Sequence, residues 1–234
     1  MMVETLHAEK SFELEVSGPS DAATALVLVH GFGGTREERG LFTDIENQFS
    51  KSMLVLRGDF SEVEGNKIKA LPFSTQVRRL HAISAFAQET FHPEHTVYLG
   101  FSQGSIVIAA AAPQYSKIVL LAPPIISPFR EFIKTPGWSR LGSLLDIEGT
   151  SRLMRSDCFV EVEKNFWKEF EKVNAVVLYT EFAKHNEVEI IFAGADQVLG
   201  QQEAPENIKS TSVSGADHHF SETTRTALLK MLPF

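Results

Sequence analysis

The pentapeptide Gly100-Phe101-Ser102-Gln103-Gly104 sets a serine between two glycines. The apolar stretch Thr96–Leu99 precedes it, and the small-residue stretch Gln103–Ala112 follows. A serine on a sharp strand-to-helix turn is held in a strained conformation that exposes its hydroxyl at the sheet edge, above a helix N-terminus. Its flanking positions must be glycine, because a side chain there runs into neighbouring backbone. An ordinary glycine-rich turn is the competing reading of five residues. The strand before and the helix after favour Ser102 as a candidate nucleophile.

A serine hydroxyl needs a base, an acid to orient the base, and N–H donors for the oxyanion. Upstream, Ala25–His30 runs into Gly31-Phe32-Gly33-Gly34. The expected donors are the backbone N–H groups of Phe32 in this loop and of Gln103 beside the serine, with glycines allowing close backbone approach. The loop carries neither G-K-[ST] nor G-x-G-x-x-G, so a phosphate cradle fits poorly. His30 reads as a structural residue that hydrogen-bonds the loop.

This geometry requires the chain order serine, acid, histidine. After Glu187–Phe192 comes Ala193-Gly194-Ala195-Asp196-Gln197-Val198-Leu199, which makes Asp196 the candidate acid. The base lies in Gly215-Ala216-Asp217-His218-His219-Phe220, where spacing admits either histidine. Asp217 is the rival acid, but a sequence neighbour rarely turns its carboxylate onto the adjacent imidazole. A metal centre is the other candidate chemistry. Three consecutive ligand types diverge, and no H-E-x-x-H or spaced Cys/His pattern exists, so no metal and no cofactor are expected. Cys158 reads as an inert thiol.

The elements that must position these residues alternate. Ala25–His30, Met53–Leu56, Thr96–Leu99, Lys117–Ala122 and Glu187–Phe192 are short apolar runs, as in strands buried on both faces. Phe12–Val16 alternates like an edge strand, and Lys209–Ser214 is a weaker, polar strand. Helical patterns fall near Glu37–Phe49, over Ser74–Phe91, over Gln103–Ala112 and after Ser221. This order implies an α/β protein with a mostly parallel central sheet and helices on both faces. One break occurs, at about 124–186, where Phe129, Phe132, Trp138, Phe159, Phe166, Trp167, Phe170 and Phe182 sit in a stretch read as an inserted helical cap on a single domain spanning 1–234.

The 234 residues carry a net charge of −8, with Lys and Arg scattered. Nucleic acid and anionic membrane surfaces are therefore poor partners. The single cysteine excludes an intrachain disulfide, the N-terminus lacks a signal-peptide pattern, and no apolar run approaches the ~20 residues of a membrane span. A cytoplasmic protein acting on a small-molecule ester substrate is expected, and a homodimer is compatible with the sequence.

These residues resemble the α/β-hydrolase family, through "HGFGG" at 30–34, "GFSQG" at 100–104, "AGADQVL" at 193–199 and "GADHHF" at 215–220. "HGFGGTREE" and "FWKEFEKV…YTEFAKH" are similar to the small bacterial cinnamoyl (feruloyl) esterases and monoglyceride-lipase-like esterases, which carry a short cap. The resemblance implies a Ser102–Asp196–His218 triad, since the family's G-x-D-H-x-F ending uses the histidine after the aspartate. It makes His219 a residue leading into the last helix, Phe220 a packing anchor and Asp217 a spacer. The chain departs from the family at Arg57–Gly65, which lacks the D-x-x-G-x-G-x-S pattern of many relatives. The implied reaction is hydrolysis of carboxylic esters of small or medium acyl or aryl groups through an acyl-enzyme. Thioesterase, amidase or peptidase action on the same triad, and a non-catalytic binding role, are the alternatives.

Overall fold

Eight strands build the main sheet: β1 (Met2–Ala8), β2 (Lys10–Ser17), β3 (Thr24–Val29), β4 (Leu54–Gly58), β7 (His95–Phe101), β8 (Lys117–Leu121), β11 (Glu187–Ala193) and β12 (Lys209–Val213). The computed structural model describes residues 1–8, 10–114, 116–125, 142–155, 158–221 and 223–234. The strand order is β1-β2-β4-β3-β7-β8-β11-β12. From β4 to β12 every neighbour pairs in parallel, while β1–β2 and β2–β4 are antiparallel.

The apolar runs become central strands because helices cover both faces. Alternate residues of β3 divide between two cores, as the period of two dictates. Ala25, Val27 and Val29 join α2 (Phe73–Phe91) and α3 (Gln103–Ala111) through Leu80, Ile83 and Ile106. Leu26 and Leu28 join α1 (Leu41–Phe49) and α6 (Thr223–Met231) through Phe42, Ile45 and Leu228. Each fully buried valine, leucine or isoleucine among them stabilises the fold by about 1.5–3 kcal/mol. Among the described residues no helix is long and apolar enough to cross a membrane.

Two sequence expectations change. Phe12–Val16 is not an edge, because β1 pairs along its outer side from Met2↔Val16 to Ala8↔Lys10. Met2–Ala8 has no apolar period, and its strand character comes from pairing with β2. The segment between β8 and β11 contains helices, α4 (Lys164–Phe170) and α5 (Ala175–Phe182), but also β9 (Thr150–Met154) and β10 (Phe159–Glu163). These pair with a hairpin in the stretch after β4, β5 (Ser61–Glu64) and β6 (Lys67–Ala70), in a four-stranded sheet of order β5-β6-β10-β9. Val160 and Val162 are buried while Glu161 and Glu163 are not, so the alternation was present but only five residues long. Phe129, Phe132 and Trp138 lie outside the described residues.

The second sheet and its helices are fixed to the main body and to one another at specific points. Glu169 of α4 accepts from both the Ser74 N–H at 2.7 Å and the Ser74 hydroxyl at 2.9 Å, a carboxylate placed at the positive N-terminal end of α2. Trp167 Nε1–H donates to Ser151 Oγ at 3.0 Å, tying α4 to β9.

Candidate active site

Ser102 sits between β7 and α3 with φ 50° and ψ −123°, a left-handed conformation rare for a side-chain-bearing residue. Its N–H is anchored to Leu121 O at 2.8 Å. The flanking glycines are sterically required. A Cβ on Gly100 comes to 2.7 Å from the Ser105 nitrogen, and one on Gly104 runs into the carbonyl oxygens of Val29 and His30. Strain of this kind costs of order 1–3 kcal/mol and is held by the surrounding structure.

Asp196 and His218 come from the loops after β11 and β12, at the same sheet edge as Ser102. His218 Nδ1 lies 2.6 Å from Asp196 Oδ2, and His218 Nε2 lies 3.1 Å from Ser102 Oγ. The imidazole and the carboxylate are each only 5% exposed. Asp196 is itself fixed, its Oδ1 accepting the Val198 and Leu199 N–H groups at 2.8 Å each. Burial pushes the Asp196 carboxyl up, but the hydrogen bond and charge of His218 and the two amides outweigh it and hold it below the usual carboxylate range. An acceptor-only carboxylate keeps the proton on Nδ1 and leaves Nε2 free to take one from Ser102.

Asp217 points elsewhere. Its Oδ1 accepts the Ser221 N–H at 2.8 Å, closing the turn before α6. Phe220 is fully buried, with φ 50°. His219 does more than lead into that helix. It lines the cleft beside Ser102 and His218, its ring 5.3 Å from that of His218 and 5.5 Å from that of Phe101.

The loop after β3 lies against the serine, since a Cβ on Gly31 comes to 3.1 Å from Ser102 Cβ. Phe32 lines the cleft, its ring 5.5 Å from that of Phe166. Gln103 is the first residue of α3, so its N–H has no carbonyl partner one turn back. His30 holds the loop. Its Nε2 accepts the Phe60 N–H at 2.8 Å, so Nδ1 bears the proton and donates to Gly31 O at 2.9 Å.

Leu153, Met154 and Arg155, at the end of β9, complete the cleft with Phe101, Val198 and Leu199. The sequence does not signal them, because the strands of the second sheet are only four or five residues long and come from two distant stretches of the chain. Nor does the sequence signal Glu38, a buried carboxylate that faces the site from the run Arg36-Glu37-Glu38-Arg39. Charge alone does not separate Glu38 from its exposed neighbour Glu37. Cys158 is partly buried. Among the described residues no group of three His, Cys, Asp or Glu side chains is placed to hold a metal ion.

No protein-family model and no curated protein matches the sequence. Solved structures do. Est1E from Butyrivibrio proteoclasticus superposes with a TM-score of 0.70 at 15% identity, over 98% of this chain and 97% of that one. The esterase domain of a Rhodothermus marinus protein gives 0.69 at 18% identity, over 98% and 95%. The α/β hydrolase GrgF from Penicillium sp. sh18 gives 0.72 at 13% identity, over 99% and 95%. Likeness at this identity carries the architecture from end to end. With its parallel sheet order and the serine turn after β7, it establishes that this chain has the α/β-hydrolase fold.

Proposed function

We propose that the protein is a serine hydrolase that cleaves carboxylic esters of small or medium acyl or aryl groups. The observation that carries this reading is the hydrogen-bonded series Ser102–His218–Asp196, with separations of 3.1 Å and 2.6 Å on a strained serine turn. The apolar wall of Phe32, Phe101, Leu153, Met154, Val198 and Leu199 supports an apolar acyl or aryl group. Est1E, one of the structures of the same fold, has been seen with ferulic acid bound.

In this mechanism His218 Nε2 takes the Ser102 proton as Oγ attacks the ester carbonyl. Asp196 holds the imidazole and offsets its developing positive charge. The Phe32 and Gln103 N–H groups donate to the oxyanion, and the dipole of α3 adds to them. The tetrahedral intermediate collapses, and His218 gives its proton to the leaving alcohol. Water then attacks the acyl-enzyme as it loses a proton to His218, and His218 returns that proton to Ser102 Oγ as the acid departs.

A fluorophosphonate probe is expected to label Ser102 in the folded protein and to spare Ser102→Ala. On a chromogenic ester panel of graded acyl length, Ser102→Ala and His218→Ala are expected to lower kcat by about 10⁴–10⁶-fold. A hydroxycinnamate ester and an acyl-CoA in the same panel separate ester from thioester preference. A folded protein that forms no Ser102 adduct overturns the proposal.

A further inference from the structure

Glu38 is a carboxylate buried for no reason that the triad supplies. Its side chain is 4% exposed and its Oε2 accepts the Gly31 N–H at 2.8 Å. Gly31 immediately precedes Phe32. The Gly31 carbonyl is held as well, by His30 Nδ1–H at 2.9 Å and by the Gly34 N–H at 3.1 Å. The peptide units leading into the Phe32 amide are therefore fixed from both sides, and Glu38 supplies the only charged contact in that set.

The local backbone is bent to deliver this carboxylate. Glu38 has φ 42° and Arg39 has φ 53°, two successive non-glycine residues in the left-handed region. Such conformations persist only where the surrounding structure compensates, and they gather at functional sites. Gly34 leaves the required space, since a Cβ there would strike Glu38 Oε2.

A salt bridge with His219 does not explain the burial. His219 Nδ1 lies 3.9 Å from Glu38 Oε1, beyond hydrogen-bond distance, and that nitrogen has no partner. Burial, then His218 and Arg39, push the His219 imidazole down to about 3, so it is neutral near pH 7. The firm contact of Glu38 is with Gly31.

We propose that Glu38 is a positioning residue that sets the oxyanion loop, aiming the Phe32 N–H at the charge that develops on the substrate carbonyl. This rests on the esterase reading above. A charge-assisted bond to a backbone N–H is short and strong, and oxyanion donors act only when preorganised. The carboxylate also polarises the His30–Gly31 peptide unit whose N–H it accepts. Its effect belongs to the transition state, so it lies in kcat rather than KM.

The test uses Glu38→Gln, which retains an oxygen acceptor, Glu38→Leu, which does not, and Gly34→Ala, whose methyl group displaces the carboxylate. Gly34 has no left-handed φ, so the strain of alanine there is steric: the methyl group strikes Glu38 Oε2 and lies 3.2 Å from the Gly31 carbonyl oxygen. For each, kcat, KM and the inhibition constant of a trifluoromethyl ketone, which forms a tetrahedral oxyanion on the serine, are measured. Expected are a kcat loss of about hundredfold for Glu38→Leu and a loss of the same sense for Gly34→Ala. KM stays near wild type, the ketone weakens in parallel, and Glu38→Gln recovers most of the loss. Wild-type kcat in Glu38→Leu or Gly34→Ala overturns the inference, as does a kcat loss with unchanged ketone affinity. If Glu38→Leu does not fold, Gly34→Ala decides by the same two readouts. A wild-type protein inert to both esters and fluorophosphonate overturns the esterase reading instead.

Discussion

His219 shows how far a residue's surroundings reach beyond its type. Burial first, then the neighbouring charges, depress its imidazole from 6.5 to about 3. The unfolded chain binds that proton near pH 6.5, but the folded chain binds it only near 3. The stability from this group is therefore complete above pH 6.5 and is lost progressively as pH falls toward 3. His219→Phe, which cannot take up the proton, is expected to flatten the fall in urea midpoint between pH 7 and pH 5. An unchanged pH slope in the variant would contradict this account. His218, one residue away, is held by Asp196 on one side and Ser102 on the other, so adjacent histidines occupy different electrostatic settings. Sequence spacing left the two equivalent because each follows the same strand. The family resemblance points to His218, and the direction of each side chain gives the physical difference between the two.

At the scale of elements, the strand–turn–helix unit of β7, Ser102 and α3 was legible because its glycines are forced by sterics. Gly104 packs against the end of β3, where added atoms meet backbone carbonyls of Val29 and His30 that have no room to retreat. Gly104→Ala is expected to destabilise the protein by about 1–3 kcal/mol and to lower fluorophosphonate labelling of Ser102. Thermal unfolding and labelling rates check both, and a wild-type melting temperature would refute the steric argument. The second sheet was not legible. Its strands are four or five residues long and come from two distant parts of the chain, so neither half signals the other. Yet it carries Leu153, Met154 and Arg155 to the cleft. Val160 packs against Gly33, bringing that sheet onto the loop that holds Phe32.

For the molecule as a whole, a buried charge cluster joins the antiparallel edge to the parallel sheet. Arg57 on β4 meets Glu15 on β2 and Glu46 on α1, each at 2.6 Å, with a guanidinium only 6% exposed. Arg36 adds contacts to Glu15 and Asp59 at 3.1 Å and 3.3 Å. Arg57→Met takes the cation from Glu46 and leaves Glu15 only Arg36, in a mostly buried setting, and is expected to cost about 3–5 kcal/mol. Replacing Glu15 and Glu46 by Gln in the same chain is expected to recover much of that loss. Urea midpoints of the two variants make the comparison, and equal midpoints would sink it. In the sequence, Arg57 stands out only as the first residue of a departure from the family pattern. Its role emerged once β2 and α1 were brought against β4.

The sequence by itself determined the alternation of buried strands and helices, the order serine, acid, histidine, and the glycines around Ser102. These follow from local periodicity and local sterics, which are written in neighbouring residues. The tertiary structure decided which histidine faces Ser102, which carboxylate reaches Gly31, and how 61–70 joins 150–163 as one sheet over the cleft. Those outcomes depend on contacts between residues far apart in the chain. A glutamate beside an equally charged glutamate acquires its role only when the fold buries one and leaves the other in water.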